Sequence, residues 1–464
     1  MLSAPFVSSI EQVLGAPFVT RETKTLEAYG VDALRRGQPP ELVVWPATRD
    51  EVAAVARLCD AARVPLTARG GGTGYTGGAV PTRGGVVLSL ERLNRIIQID
   101  EPNLLAIVEP NVVTADLQRA VEAVGLFYPP DPASAEQSVI GGNVAECAGG
   151  PRAFKYGTTK RYILGLEAVL PTGEIIRTGG KTVKNVVGYD LTQLLVGSEG
   201  TLAIVTQIIV RLIPKPPVQA TLRATFLDVT TAVSAVTELL RRRVVPSAVE
   251  IIDADCLAAV ERYLGVSSLA PPGTGAMLLL EVDGLAKTVV EETERVETAC
   301  RAAGATDIRS ALDAAEREEL WTVRRALSLS LRMISGLKYN HDVVVPKGRI
   351  PELFEVVAEL RHKFRLRIPC FGHVGDGNIH VNIMVDPDNP DEIARAHQAE
   401  RALFEGVVAL EGSISGEHGI GFSKAPYLSL ELSPEEIALL KRVKAAFDPN
   451  GILNPGKIFP DEAS

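Results

Sequence analysis

Pro214-Lys215-Pro216-Pro217 constrains this chain more than any other feature. Three prolines within four residues remove backbone donors and fix φ, so no helix interior or central strand runs through them. Strand-like and helix-like patterns alternate on both sides of this break, and 464 residues exceed what one compact core accommodates. The sequence therefore predicts at least two domains divided at the break.

Before the break, Thr48-Arg49-Asp50-Glu51 is a capping box, followed by Val52, Val55, Ala56 and Cys59 at helical spacing. Leu66-Thr67-Ala68 reads as a short strand entering a glycine-rich loop, and residues 85–90 and 104–108 read as further strands. Thr114 is expected to cap a helix that Gly125 stops, and residues 163–170 and 204–212 complete the strand set. After the break, 276–281 reads as a strand, 287–303 as an amphipathic helix, 339–345 and 379–385 as strands and 391–408 as a helix. The pattern suits an α+β fold with helices on one face of an antiparallel sheet. A second capping box, Ser433-Pro434-Glu435-Glu436, opens a helix to Phe447, and Asp448-Pro449-Asn450-Gly451 ends it.

A net charge of −9 excludes nucleic acid as the expected partner, because phosphate contacts need clustered Lys and Arg. Cys59, Cys147, Cys256, Cys300 and Cys370 lie far apart without a Cys-x-x-Cys pair. They read as buried free thiols in a reducing compartment, not as ligands of an iron–sulfur cluster carried by this chain. The first twenty residues hold no Lys or Arg, and the longest apolar runs are too short to span a bilayer. The expectation is a cytoplasmic protein, with peripheral membrane attachment through partners left open.

Residues 69–78 read Arg-Gly-Gly-Gly-Thr-Gly-Tyr-Thr-Gly-Gly. Glycines after a strand turn N–H groups inward and hold an anion such as a pyrophosphate; the plain alternative is a flexible surface loop. A dinucleotide fingerprint fails because no Asp or Glu lies about twenty residues on in a second βαβ strand. A P-loop ending at Gly180-Lys181-Thr182 fails because Ile175 stands where its first glycine belongs.

Half of the six histidines fall in Gly372-His373-Val374-Gly375-Asp376-Gly377-Asn378-Ile379-His380 and Ser415-Gly416-Glu417-His418-Gly419. Asp376-Gly377 is a turn dipeptide, so His373 and His380 flank a bend, and strand alternation puts His380 and Asn382 on one face. Two imidazoles and one carboxylate make an open site suited to zinc or another divalent ion, with Glu417 the natural carboxylate and His418 free as a base. Structural turns bearing capped histidines are the plainer reading of the same residues.

With Pro129-Pro130-Asp131-Pro132, Gly141-Gly142-Asn143-Val144-Ala145, Gly149-Gly150 and Val196-Gly197-Ser198-Glu199-Gly200-Thr201-Leu202, the chain resembles the vanillyl-alcohol oxidase, or PCMH-type, flavoproteins. It is most similar to the branch holding the FAD subunit of glycolate oxidase, D-lactate dehydrogenase and D-2-hydroxyglutarate dehydrogenase, from Pro39 to Phe459. The resemblance implies a PCMH-type two-part FAD-binding domain over 38–217, after an N-terminal helical segment 1–37. It also implies an α/β cap domain with a mainly antiparallel sheet and the metal site over 218–425, and a C-terminal segment 426–464 returning to the flavin.

FAD binding is then expected of Arg69, Gly70, Gly71, Gly72, Thr73 and Gly74 around the pyrophosphate. Pro130, Asp131, Ser138, Gly141, Gly142, Asn143, Ala145, Tyr156, Gly157, Glu199, Gly200, Ile204, Val205 and Asn454 are expected around the rest. No histidine stands in or beside the glycine loop, so the FAD is expected to be non-covalent.

Gly-His-x-Gly-Asp-Gly-Asn-x-His and Gly-Glu-His-Gly are motifs of that family. They imply His373, His380 and Glu417 as metal ligands and His418 as the base that takes the substrate hydroxyl proton. Trp321-x-x-Arg324 resembles the family's carboxylate-binding segment, with Arg324 as bidentate anchor and Lys338 and Asn382 assisting. The implied reaction is oxidation of a small D-2-hydroxy acid, glycolate, D-lactate or similar, by hydride transfer to flavin N5. The alternatives are an FAD subunit passing electrons to an iron–sulfur or flavoprotein partner, and a non-catalytic flavin- or metal-binding module. A homodimer is compatible with all three.

Overall fold

The computed structural model describes residues 2–266, 268–311 and 313–460. The last four residues of the expected C-terminal segment lie outside that range. The chain divides into two compact units. The first comprises Met1–Gly149, Thr158–Lys215 and Glu417–Ser464, and the second Gly150–Gly157 and Pro216–Gly416.

The first unit holds a four-stranded sheet in the order Val19–Thr20, Leu42–Val44, Val86–Ser89, Leu66–Arg69. Its last three strands are parallel. The helix Arg49–Ala62 packs on it through Val52, Val55, Ala56 and Cys59, the stripe set by the sequence, and Thr48 caps it by accepting from the Glu51 N–H at 3.2 Å. Ile452 and Leu453 from the chain's far end join the same core, and Leu66 bridges to Leu453 in parallel. A second, wholly antiparallel sheet runs Ile96–Asp100, Leu105–Val108, Ile204–Arg211, Ile163–Val169, Ile175–Gly179.

One cap differs from expectation. Val113, not Thr114, is the N-cap of the helix Thr114–Glu122. Val113 bridges to Val139, so the Thr114 hydroxyl is drawn to the Ser138 carbonyl at 3.1 Å and to the Ser138 hydroxyl at 3.0 Å instead of to its own helix.

The second unit is built on a seven-stranded sheet. Its order is Asp307–Ser310, Val218–Phe226, Ala276–Gly284, Ala248–Asp253, Cys370–His373, Asn378–Val385, Leu337–Val344. Every neighbouring pair is antiparallel. Ala248–Asp253 and Asn378–Val385 are buried along their whole length, which requires cover on both faces. Two helix groups supply it, where the sequence pattern suggested one covered face. Ala254–Leu264 and Ala314–Arg332 pack on Ile252, Met277, Phe371 and Met384, while Val229–Arg241, Ala286–Ala302, Ile350–Phe364 and Pro390–Ala409 form the other group. Among the described residues no helix is long and apolar enough to cross a membrane, and all five cysteines are free thiols.

Candidate active site

In the first unit the strand Leu66–Arg69 runs into the glycine loop. A Cβ on Gly71 would stand 2.6 Å from the Gln137 carbonyl oxygen, and one on Gly141 2.6 Å from Pro110 Cβ, so both backbones pass where no side chain fits. Arg69 stacks on Tyr29 with its guanidinium carbon 5.3 Å from the ring centre. Asp32 is buried beside the loop and accepts from the Leu34 N–H at 2.9 Å. Burial pushes its carboxyl up to about 6 against the pull of the Leu34 N–H and Arg69. Asp32 Oδ2 and Arg69 Nη1 are buried polar atoms with no hydrogen-bond partner among the described residues. The orphaned Arg69 donor at a backbone-lined loop fits a bound anion such as a flavin pyrophosphate, whereas the Asp32 carboxylate, an acceptor, does not serve that anion.

The other expected flavin residues of this unit form a connected frame. Asn143 donates to the Thr114 hydroxyl at 2.7 Å, tying it to Ser138, and Gln118 donates to the Pro130 carbonyl at 2.9 Å. Gly141 N–H reaches the Pro110 carbonyl at 2.7 Å, and Glu199 N–H reaches the Ala145 carbonyl at 2.8 Å. Glu199 is buried, and its carboxylate receives the N–H groups of Ile420 at 2.8 Å and Gly421 at 2.6 Å. Burial raises its pKa.

Asn454 donates to the carbonyls of Gly78 and Glu199, each at 2.8 Å, and Lys457 to the Val80 carbonyl at 2.6 Å. The Asn-Pro-Gly-Lys segment therefore closes on the end of the glycine loop. The Ile204 side chain lies in this unit's core, and Gly200 would place a Cβ 4.0 Å from the Asn454 amide. Tyr156 and Gly157 lie in the second unit, where the Tyr156 hydroxyl donates to Asp283 at 2.7 Å.

His418 belongs to the first unit. Its ring stacks on Tyr75 with centres 5.4 Å apart, and its carbonyl accepts from the Thr76 hydroxyl at 2.9 Å. The expected base thus sits on the last residues of the glycine loop.

The second unit gathers its polar residues on one sheet face. His380 pairs across with Phe371 and Asp342, and Asn382 with Asn340, so alternation brings His373, His380, Asn382, Lys338 and Glu250 to the side under the Ala314–Arg332 helix. The His373 and His380 rings meet edge to face at 5.3 Å. Gly377, at φ +94°, makes the tight bend between their strands, and its N–H bonds the His373 carbonyl at 3.2 Å. Asn382 donates to the His380 carbonyl at 3.0 Å and accepts from Asn340 at 2.7 Å. Lys338 donates to the Ser328 hydroxyl at 2.9 Å, and burial lowers its pKa to about 8.

Glu250 was not singled out by the sequence. It has 0% exposure, meets His373 Nδ1 at 2.6 Å and receives Arg324 Nε. Burial would raise its carboxyl, but Arg324 and His373 beside it outweigh that and hold it at about 2. Its signal was a lone acid inside Val249-Glu250-Ile251-Ile252.

The Gly416 N–H bonds Asp342 Oδ2 at 3.0 Å, which fixes the approach to Glu417. His373 and His380 lie in the second unit, and Glu417 opens the last stretch of the first. Two imidazole nitrogens and a carboxylate oxygen are a donor set that fits zinc or a similar divalent ion, with a coordination position left for a substrate oxygen.

Residues 40–179 match the family described as FAD binding domain, and 215–458 match FAD linked oxidases, C-terminal domain. The chain is 43% identical over 436 residues to the glycolate oxidase subunit GlcD of Bacillus subtilis, covering 94% of this chain and 92% of that one. It is 36% identical over 428 residues to a D-lactate dehydrogenase of Anaerostipes hadrus, covering 90% and 89%. The structure of p-cresol methylhydroxylase superposes with a TM-score of 0.84 at 21% identity, over 99% of this chain and 97% of that one. At that identity the likeness establishes the PCMH-type fold and no more.

Proposed function

This chain belongs to the FAD-linked oxidases, and we propose that it oxidises a small D-2-hydroxy acid such as glycolate or D-lactate to the 2-oxo acid. The observation that carries this reading is the close His373–His380 pair of the second unit, together with the consecutive Glu417 and His418. Relatives named glycolate oxidase subunit and D-lactate dehydrogenase support the substrate class.

The flavin is held without a covalent bond by the Arg69–Gly74 loop, the Ser138 to Ala145 segment, Glu199, Gly200 and Asn454. His373, His380 and Glu417 hold a divalent metal, zinc being the choice that suits their donor set. When bound, FAD supplies the two-electron acceptor for the α-hydrogen. A bound ion supplies Lewis-acid polarisation of the substrate hydroxyl. Arg324 binds the substrate carboxylate through its terminal nitrogens. Lys338 adds positive charge to that region, and Asn382 fixes His380 by bonding its carbonyl. His418 takes the hydroxyl proton on its ring nitrogen as general base.

The test is anaerobic mixing of the FAD-loaded protein with glycolate and D-lactate. His418→Asn should keep its flavin absorbance and bleach more slowly by about 10²–10⁴-fold, the usual worth of a general base. Bleaching at the wild-type rate would remove His418 from the mechanism.

The relative's name as a subunit favours a second reading of the electron path. In it this chain oxidises the acid and hands the electrons to an iron–sulfur or flavoprotein partner in the cytoplasm or at the membrane surface. Co-purification with such a chain, and weak turnover of the isolated protein with dyes, would support it.

A further inference from the structure

Glu250 is a fully buried carboxylate to which the mechanism above gives no task. Its two oxygens take different partners: Oε1 lies 2.6 Å from His373 Nδ1, and Oε2 receives Arg324 Nε. One partner is an expected metal ligand and the other the expected anchor of the substrate carboxylate. They lie 49 residues apart in sequence, and each is far from Glu250 itself.

We propose that Glu250 is a positioning residue that sets the orientation of His373 and of Arg324 together. A carboxylate facing imidazole Nδ1 holds the proton on that nitrogen. The lone pair is then on Nε2, the nitrogen turned away from Glu250 and available to a metal. Arg324 is pinned at its inner nitrogen by Oε2, and its guanidinium carbon stands 4.9 Å from the centre of the Phe371 ring. With Nε engaged and the plane held by the ring, the two terminal nitrogens, which donate to no described residue, remain as a fork for a carboxylate. Phe371 also packs on His380 at 5.0 Å, so the same ring braces both sides of the arrangement. A carboxylate that only neutralised a buried arginine would need no bond to His373. The second bond, at 2.6 Å, gives one residue control of both groups.

The inference rests on the metal and carboxylate roles proposed above, and the experiment separates the two. Full-length FAD-loaded protein is stripped of metal and titrated with Zn²⁺ against a chromophoric chelator. Glu250→Gln should weaken zinc binding 10–100-fold, the usual effect of losing a carboxylate behind a histidine ligand. With zinc saturating, it should also raise KM for the acid more than it lowers kcat, at unchanged flavin absorbance. Zinc affinity and KM equal to wild type in a flavin-loaded Glu250→Gln protein would overturn the inference alone. Wild-type protein that binds no zinc would overturn the metal assignment and this inference with it.

Should Glu250→Gln not fold, ¹⁵N spectra of histidine-labelled wild-type protein decide. His373 protonated on Nδ1 supports the assignment, and His373 protonated on Nε2 overturns it.

Discussion

Asp32 and Glu250 are both buried carboxylates, and opposite surroundings send them in opposite directions. Glu250 has Arg324 and His373 as partners, which hold it at about 2 against the effect of burial. Asp32 is raised from 3.8 to about 6 because burial outweighs the Leu34 N–H and Arg69. A raised carboxylate binds its proton more tightly in the folded state than in the unfolded one, so stability falls as pH rises from about 4 to 6 and then levels. Above that window the ionised group costs about 3 kcal/mol, at roughly 1.4 kcal/mol per pKa unit. Asp32→Asn should therefore raise the Tm of flavin-free protein at pH 7.5, and the gain should shrink as the pH falls through 6 towards 4. A gain independent of pH would mean that Asp32 is not the titrating group. Neither acid was legible in the sequence. Arg324 and His373 lie 74 and 123 residues from Glu250; pairing of the Ala248–Asp253 and Cys370–His373 strands brings in His373, and packing of the Ala314–Arg332 helix on that face brings in Arg324. The glycine, histidine and Asn-Pro-Gly-Lys segments were legible because each carries its chemistry within a few consecutive residues.

At the scale of elements, local signals were read where a partner lies one turn away. Thr48 and Ser433 cap the helices their sequences mark, because the acceptor and the N–H it serves are three residues apart. Thr114 was misread because its hydroxyl answers to Ser138, 24 residues on. The bend between the two histidine strands belongs with the legible elements: Asp376-Gly377 marks it, and Gly377 adopts φ +94° with no room for a Cβ against the Val345 carbonyl oxygen. Gly377→Ala should cost on the order of 1–3 kcal/mol from backbone conformation alone. Differential calorimetry should show a Tm loss of several degrees. Gly348→Ala is the control, since a Cβ there meets nothing within 4 Å and a change within about 0.5 kcal/mol is expected. Equal Tm values for the two variants would mean that the bend tolerates a side chain and does not fix the histidine pair.

Across the whole molecule, the chain passes from one unit to the other at Gly149, Gly157, Lys215 and Gly416, so the second unit is an insertion within the first. The proline break marks one of these passages. The other three fall at glycines, Gly149, Gly157 and Gly416, too little signal to read without the structure. This division gives a test of the whole assignment. The residues proposed for flavin lie in the first unit, apart from Tyr156 and Gly157, while two of the three proposed metal ligands lie in the second. Removing the metal should then leave the flavin in place. Dialysis against a strong chelator should lower the metal content, keep the yellow absorbance, and slow bleaching by D-lactate or glycolate on the order of 10²–10⁴-fold. That range is what several kcal/mol of lost hydroxyl polarisation amounts to. Added Zn²⁺ or Mn²⁺ should restore the rate in wild type but not in His380→Ala. Bleaching at full speed in metal-free yellow protein would leave His373, His380 and Glu417 as a structural cluster and return the proton transfer to His418 unaided.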